Sequence, residues 1–155
     1  MCLRFGTEPS RSVATNLSAG LVPTPQRHGS AVSAYCPYRI AIVDDDDSIR
    51  EALKSLMRSV NFSVEAFASA EEFLASERAA DTSCLILDVY LPGMSGFELQ
   101  SRLNIEQSAI PIIFITAHAD DASRQKALKA GAVELLGKPV RREPLFRAIH
   151  SAMAR

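Results

Sequence analysis

Five short apolar runs separated by amphipathic segments leave this chain few folds to choose from. The runs are RIAIVDD at 39–45, FSVEAF at 62–67, CLILD at 84–88, IPIIFIT at 110–116 and AVELL at 132–136. A continuous run such as CLILD suits a strand buried on both faces, and strands of that kind are parallel ones joined by crossover helices. The intervening segments supply those helices. Ile49, Ala52, Leu53, Leu56, Met57 and Val60 recur at helical spacing and make one apolar stripe. Ser48 with Glu51, Ser69 with Glu72 and Ser95 with Glu98 are capping-box pairs that predict the starts of the first three helices. A fourth helix is predicted from Asp120 to Gly131. Leu145, Ala148, Ile149, Ala152 and Met153 form the face of a fifth, with Pro144 tolerated in its first turn. The expectation is an α/β fold of five strands and five helices without internal repeats.

Composition places a boundary just before this pattern. Residues 1–39 hold four of the eight prolines, three of the seven glycines, four Arg, one Glu and no Lys, and carry +3 against −4 for the remainder. With no helical or strand periodicity, residues 1–37 read as a disordered leader that cannot offset its own ordering entropy. Its Arg- and Ser-rich, acid-poor composition also resembles an organellar transit peptide, though a plain tail is the simpler reading. Residues 38–155 are then one domain, a size at which 47% apolar residues can bury a core. No uncharged apolar stretch approaches the roughly 18 residues of a membrane span. A net charge of −1 without a basic stripe argues against a nucleic-acid binder working through phosphates. Cys2, Cys36 and Cys84 make neither a disulfide framework nor a zinc site, so a reducing cytoplasm fits best.

Ligands of open parallel sheets bind beyond the carboxyl ends of the strands, where the strand order reverses. The residues standing there are therefore the informative ones. The first run ends in Asp44 and Asp45, the third in Asp88 and the fourth in Thr116, and the fifth is followed by Lys138. Three carboxylates crowded together need a cation, and a few acids leaving room for water and phosphate oxygens is what Mg²⁺ prefers. Lys138 and the Thr116 hydroxyl complement phosphoryl oxygens. Asp88, alone at a central strand end, can attack phosphorus and become an aspartyl phosphate.

These pieces, IVDDDDSIREAL, LILDVYLPGMSGFEL, IIFITAH and GAVELLGKPV in that order, resemble the response-regulator receiver domain of two-component signalling, in its FixJ-like form. The resemblance covers everything after the leader. It implies a flavodoxin-like, doubly wound five-stranded parallel sheet of order 2-1-3-4-5. It implies further that Asp88 is the phosphoacceptor, that Asp45 ligates Mg²⁺ directly and Asp44 through water, and that Asp88 and the backbone carbonyl of Tyr90 complete the metal set. Thr116 is implied to bond the phosphoryl group and move towards it, Lys138 to pair with Asp88 or its phosphate, and the Lys138–Pro139 peptide to be cis. Tyr90 and His118 hold positions that tune phosphate lifetime.

The implied activity is a switch rather than an enzyme with turnover, with only slow self-catalysed phosphotransfer and dephosphorylation. Its partners are a sensor histidine kinase or phosphotransfer protein and a downstream protein, without direct nucleic-acid or membrane binding, and with a phosphorylation-dependent homodimer left open. A last helix running to Arg155 suggests a stand-alone receiver; the FixJ-like wording suggests instead a receiver severed from a helix-turn-helix output domain. Leu135 departs from the family, which usually has Tyr or Phe three residues before the lysine, and this puts the aromatic part of the switch in doubt and leaves room for a phosphorylation-independent adaptor. Two enzyme motifs fit less well. GAVELLGKP is one residue too long for a P-loop and has Pro139 where Ser or Thr is needed. Asp44 with Asp46 satisfies the Asp-x-Asp of haloacid-dehalogenase-type phosphatases, but that reading leaves Asp88, Thr116 and Lys138 without a purpose.

Overall fold

A computed structural model of the chain describes residues 38–155. The expected leader, with Cys2 and Cys36, lies outside the described residues. From Arg39 the elements run β1 (Arg39–Val43), α1 (Asp47–Ser59), β2 (Ser63–Phe67), α2 (Ala70–Ala75), a 3₁₀ turn (Ala79–Asp81), β3 (Cys84–Asp88), α3 (Gly96–Ile105), β4 (Ile112–Thr116), α4 (Asp121–Lys129), β5 (Glu134–Gly137) and α5 (Arg142–Met153). The strands form a single sheet of order β2-β1-β3-β4-β5, every neighbouring pair parallel. This is the doubly wound arrangement with five helices that the sequence resemblance implies.

The two-residue period of a strand explains why the central runs are apolar throughout. On one face Ala41, Val43, Leu85, Leu87, Phe114 and Leu135 pack with Phe73 of α2 and with Leu99 and Leu103 of α3. On the other face Ile40, Ile42, Ile86, Ile113 and Ile115 pack with Leu53 and Met57 of α1 and with Leu145 and Ile149 of α5. Each central strand therefore feeds two cores with alternate residues, and none of its positions can be polar until the strand ends. Among the described residues no helix is long and apolar enough to cross a membrane.

The helix starts follow local hydrogen bonding, with two departures from expectation. Ser95 and Glu98 form the expected reciprocal capping box on α3. At α2 Ser69 Oγ accepts from the Glu72 amide, but the Glu72 carboxylate reaches the Ala68 amide, one residue earlier than a capping box requires. At α1 the cap is Asp46 and not Ser48: Asp46 Oδ1 accepts from the amides of Ser48 and Ile49, while Glu51 pairs with Lys54 at 2.9 Å. A carboxylate at a helix N-terminus is the better acceptor for orphan amides, so it displaces the serine downstream of it. Strand five also starts later than its apolar letters, at Glu134, because Gly131 (φ +103°) closes α4 and the Ala132 amide is still spent on Ala127. Pro144 falls in the first turn of α5, as expected.

Asp120 caps α4 and its Oδ1 accepts from the Ser123 amide at 2.7 Å. The Ser123 amide and hydroxyl hold its carboxyl below the ordinary 3.8. A depressed folded-state pKa gives stability that is present above the unfolded value and lost as pH falls through the folded one. Asp120→Ala should therefore lower the thermal midpoint at pH 7, and the gap to the wild type should narrow progressively as pH falls below 3.8. Parallel melting curves check this; a gap that persists in acid would show that the loss is not electrostatic.

Candidate functional site

After β1, β3 and β4, three neighbours in the sheet, the chain leaves the carboxyl edge in the same way. At the end of β1 the Asp44 carboxylate accepts from the Asp46 amide at 2.8 Å; at the end of β3 Asp88 accepts from Tyr90 at 3.2 Å; at the end of β4 the Thr116 hydroxyl accepts from His118 at 3.1 Å. In each case the strand-end oxygen bonds the amide two residues on, which turns the chain off the sheet and fixes the side chain over the edge. Strand order then decides who meets whom. β1 and β3 are neighbours at the point where the order reverses, so their terminal acids converge. Asp44, Asp45 and Asp88 each offer a carboxylate oxygen, all within 4.8 Å of one another.

Lys138 comes from farther away. It follows β5, two strand spacings from β3 or about 9.6 Å, and its own amide donates to the Thr116 carbonyl at 2.8 Å, which prolongs the β4–β5 ladder to the site. Only a long side chain spans that gap. Nζ donates to Asp88 Oδ2 at 3.0 Å and lies 2.9 Å from Asp44 Oδ2. The second approach is a charge contact without hydrogen-bond direction, for Asp44 Oδ2 is the buried side-chain polar atom without a hydrogen-bond partner among the described residues. The Lys138–Pro139 peptide is cis.

Burial decides the electrostatics. Asp44 and Thr116 are fully buried and Asp88 is 4% exposed, whereas Asp45 is exposed. Burial pushes the Asp88 carboxyl up, and Asp44 adds to this, against the pull of the Lys138 ammonium and the Tyr90 amide. Burial also disfavours the Lys138 ammonium, but the two carboxylates outweigh it and hold its pKa above 10.5. The three acids and one cation leave a surplus of negative charge on hard oxygen donors. An ion with oxygen ligands fits here: the 4.8 Å limit is close to the roughly 4.2 Å across a six-coordinate Mg²⁺, and the unbonded Asp44 oxygen is already desolvated.

Beside Asp88 the surface opens into a depression of about 470 Å³ lined by Asp88, Tyr90, Ala117, His118 and Lys138. The Tyr90 and His118 rings stand edge to face, 6.0 Å apart, at its mouth. The sequence-predicted residues therefore gather at one edge.

Three contributors were not foreseen. Arg50 donates to the Asp44 carbonyl at 2.6 Å and pairs with Asp47, pinning the β1–α1 turn from α1. Gly96 opens α3 directly against the Asp88 backbone, where a Cβ would fall on the Asp88 carbonyl oxygen, so only glycine lets the helix start this close. Glu71 reaches from α2 to the Met94 amide at 2.8 Å. A glycine at the first position of a capped helix was the one legible sign among the three. Leu135 is 2% exposed and lies in the core opposite Phe114.

The sequence model of the response regulator receiver domain matches residues 40–150. The chain belongs to this family. Receiver domains of response regulators act in two-component signalling as switches, interact with histidine kinases or phosphotransfer proteins, and generally bind Mg²⁺ at this acidic pocket. The receiver is 48% identical over 114 residues to the response regulator protein TodT of Pseudomonas putida, covering 74% of this chain and 50% of TodT. It is similar to the structure of the response regulator StyR, with 44% identity, a TM-score of 0.70, and coverage of 77% and 60% of the two chains. It is similar also to the crystal structure of FixJ-N, at 37% identity and a TM-score of 0.68, covering 76% of this chain and 94% of that one. The receiver spans about half the length of the curated relatives it matches.

Removing the cation from this edge should be costly. Lys138→Met in metal-free buffer at pH 7 should lose about 1–3 kcal/mol, since two buried carboxylates are left facing each other. Urea unfolding measures it; a loss within about 0.5 kcal/mol, the range of ordinary surface changes, would mean that water already neutralises the pair.

Proposed function

We propose that this receiver accepts a phosphoryl group on Asp88 from a phosphohistidine of a sensor kinase or phosphotransfer protein, and signals by a change of conformation. The observation that supports this most is the state of Asp88: a buried carboxylate at a central strand end, held by one ammonium beside a second buried acid and facing an open depression. An Asp88 oxygen attacks phosphorus, the phosphorus–nitrogen bond breaks as the oxygen–phosphorus bond forms, and the freed imidazole takes up a proton. Burial makes Asp88 more basic and so a better nucleophile, against the opposing pull of the Lys138 ammonium. Its Oδ1 is occupied by the Tyr90 amide and its Oδ2 by Lys138, which orients the carboxylate.

Asp44, Asp45, Asp88 and the Tyr90 carbonyl would hold Mg²⁺, whose charge offsets that of the incoming phosphoryl oxygens. Lys138, which stands between Asp88 and Asp44, pairs with the phosphoryl group as a point charge. Thr116 exchanges the His118 amide for a phosphoryl oxygen, turning its hydroxyl from acceptor to donor. Tyr90 and His118 at the mouth regulate the access of hydrolytic water. The gain of about −1.5 to −2 charge biases a pre-existing equilibrium between conformations. We place the chain in a reducing cytoplasm, where buried Cys84, its thiol pushed up to about 12 by burial, stays inert.

Intact-protein mass after incubation with acetyl phosphate tests the reading. The wild type should gain one phosphoryl mass only with Mg²⁺, Asp88→Asn should gain none, and Asp45→Ala should need at least about tenfold more Mg²⁺, the cost of one lost charge-assisted ligand. Labelling of Asp88→Asn at the wild-type level would refute the assignment. Phosphate release that persists in Asp88→Asn would point to the phosphatase reading instead.

A further inference from the structure

The loop from Val89 to Ser95 carries Tyr90, which lines the depression beside Asp88, and its two ends are tied down by its own backbone. Tyr90 N–H donates to Asp88 and Gly96 N–H to the Val89 carbonyl at 2.9 Å, while Leu91 is anchored in the core. The far part of the loop, Pro92 to Met94, is reached by a side chain from another element. Glu71, in the first turn of α2, accepts the Met94 N–H on Oε2 at 2.8 Å. Gly93 rests on the same carboxylate: its φ is +78°, and a Cβ there would come within 2.8 Å of Glu71 Oε2. The loop and the carboxylate are thus fitted to each other on both counts.

Glu71 is free for this because its neighbour does the capping. The start of α2 is closed by Ser69 and by Glu72, whose Oε1 accepts from Ala68. The helix itself is fixed by Ala70 and Phe73, both fully buried. A first-turn acid that served only its own helix would have no need to leave it. We propose that Glu71 is a positioning residue for the phosphoacceptor loop, holding Pro92 to Met94 so that the Tyr90 carbonyl stays beside Asp88, and thereby setting the Mg²⁺ requirement of phosphorylation. This rests on the reading of Asp88 and its metal given above.

The test is made on the full chain with Mg²⁺ and acetyl phosphate, following labelling rate against Mg²⁺ concentration. Glu71→Ala should raise the Mg²⁺ concentration for half-maximal labelling about fivefold, as for one lost hydrogen bond of ordinary net strength at an exposed site, with a smaller change in the rate at saturating Mg²⁺. Glu71→Gln, which keeps an acceptor at the same reach, should return the half-saturation close to that of the wild type. A Glu71 that only supports α2 would behave otherwise: Glu71→Ala would lower the thermal midpoint and leave the Mg²⁺ requirement alone, and that result would overturn the proposal. Should Glu71→Ala not fold, Glu71→Asp draws the carboxylate back from Met94 by one methylene and should also raise the Mg²⁺ requirement; an unchanged value would likewise overturn it. Failure of the wild type itself to label would overturn the parent reading, and this proposal with it.

Discussion

Everything at the carboxyl edge of this sheet answers to the repulsion between buried carboxylates. Two like charges at 4 Å cost about 4 kcal/mol at an effective dielectric of 20, and Asp44 and Asp88 both lie almost entirely out of water. One ammonium stands against them. To place it, the chain runs a strand on the far side of β4, adds the Lys138 amide to the end of that ladder and stretches the side chain back across. The pairing is not a means of stabilising the fold, which two well-filled cores already do. It makes the fold tolerate an arrangement that is otherwise unfavourable, a surplus of negative charge on oxygen donors of the kind that suits a small divalent cation.

The second constraint is precision, and the backbone meets it. Asp44, Asp88 and Thr116 each bond the amide two residues on. A side chain in such a turn cannot rotate without giving up a hydrogen bond, so three groups on three strands are oriented before any ligand arrives. Support then comes from behind. Arg50 holds the Asp44 carbonyl, and Gly96 lets α3 begin against that of Asp88. The reacting groups are set by strands and the groups that hold them by helix starts, which is a reason for the helices to open at this edge.

The fold was legible because its signal is long and repeated. The apolar runs of the central strands leave no room for another periodicity, and β1 starts with its run at Arg39 while β3 coincides with its run, Cys84–Asp88. The strand order was not readable from the runs themselves; it came from the resemblance of the four motifs. The candidate site was legible for the same physical reason as the strands: in a run that is buried on both faces, the first polar residue marks the end, and here the first polar residues are Asp44, Asp88 and Thr116. What escaped were groups whose partners lie far off in sequence. Glu71 and Met94 are 23 residues apart, and nothing in ASAEE separates the glutamate that caps from the one that reaches away. The shift of the α1 cap from Ser48 to Asp46 arose within one run of acids, where spacing offered two acceptors and charge chose between them.

Leu135 is the remaining departure from the family pattern, and its surroundings show what carries the aromatic character of this face. It is an aliphatic core residue in register with Phe114 of β4, and Phe114 packs against Phe97 of α3 with ring centroids 5.0 Å apart. Phe97 follows Gly96, so the aromatic pair stands directly behind the Asp88 backbone. From there α3 meets α4 along one seam. Lys126 lies 4.3 Å over the Phe97 ring, the buried Gln100 amide donates to the Ala127 carbonyl, and Asn104 donates to that of Ala130. Positions 97, 100 and 104 share one helical face. The Ala127 carbonyl accepts from Gln100 as well as from the Ala132 amide, and the Ala130 carbonyl, past the end of α4, accepts from Asn104, so the last turn of α4 is capped in part from α3. With leucine at 135 the rings of this face belong to α3 and β4, and a run of packed groups joins them to α4 through Lys126, Gln100 and Asn104.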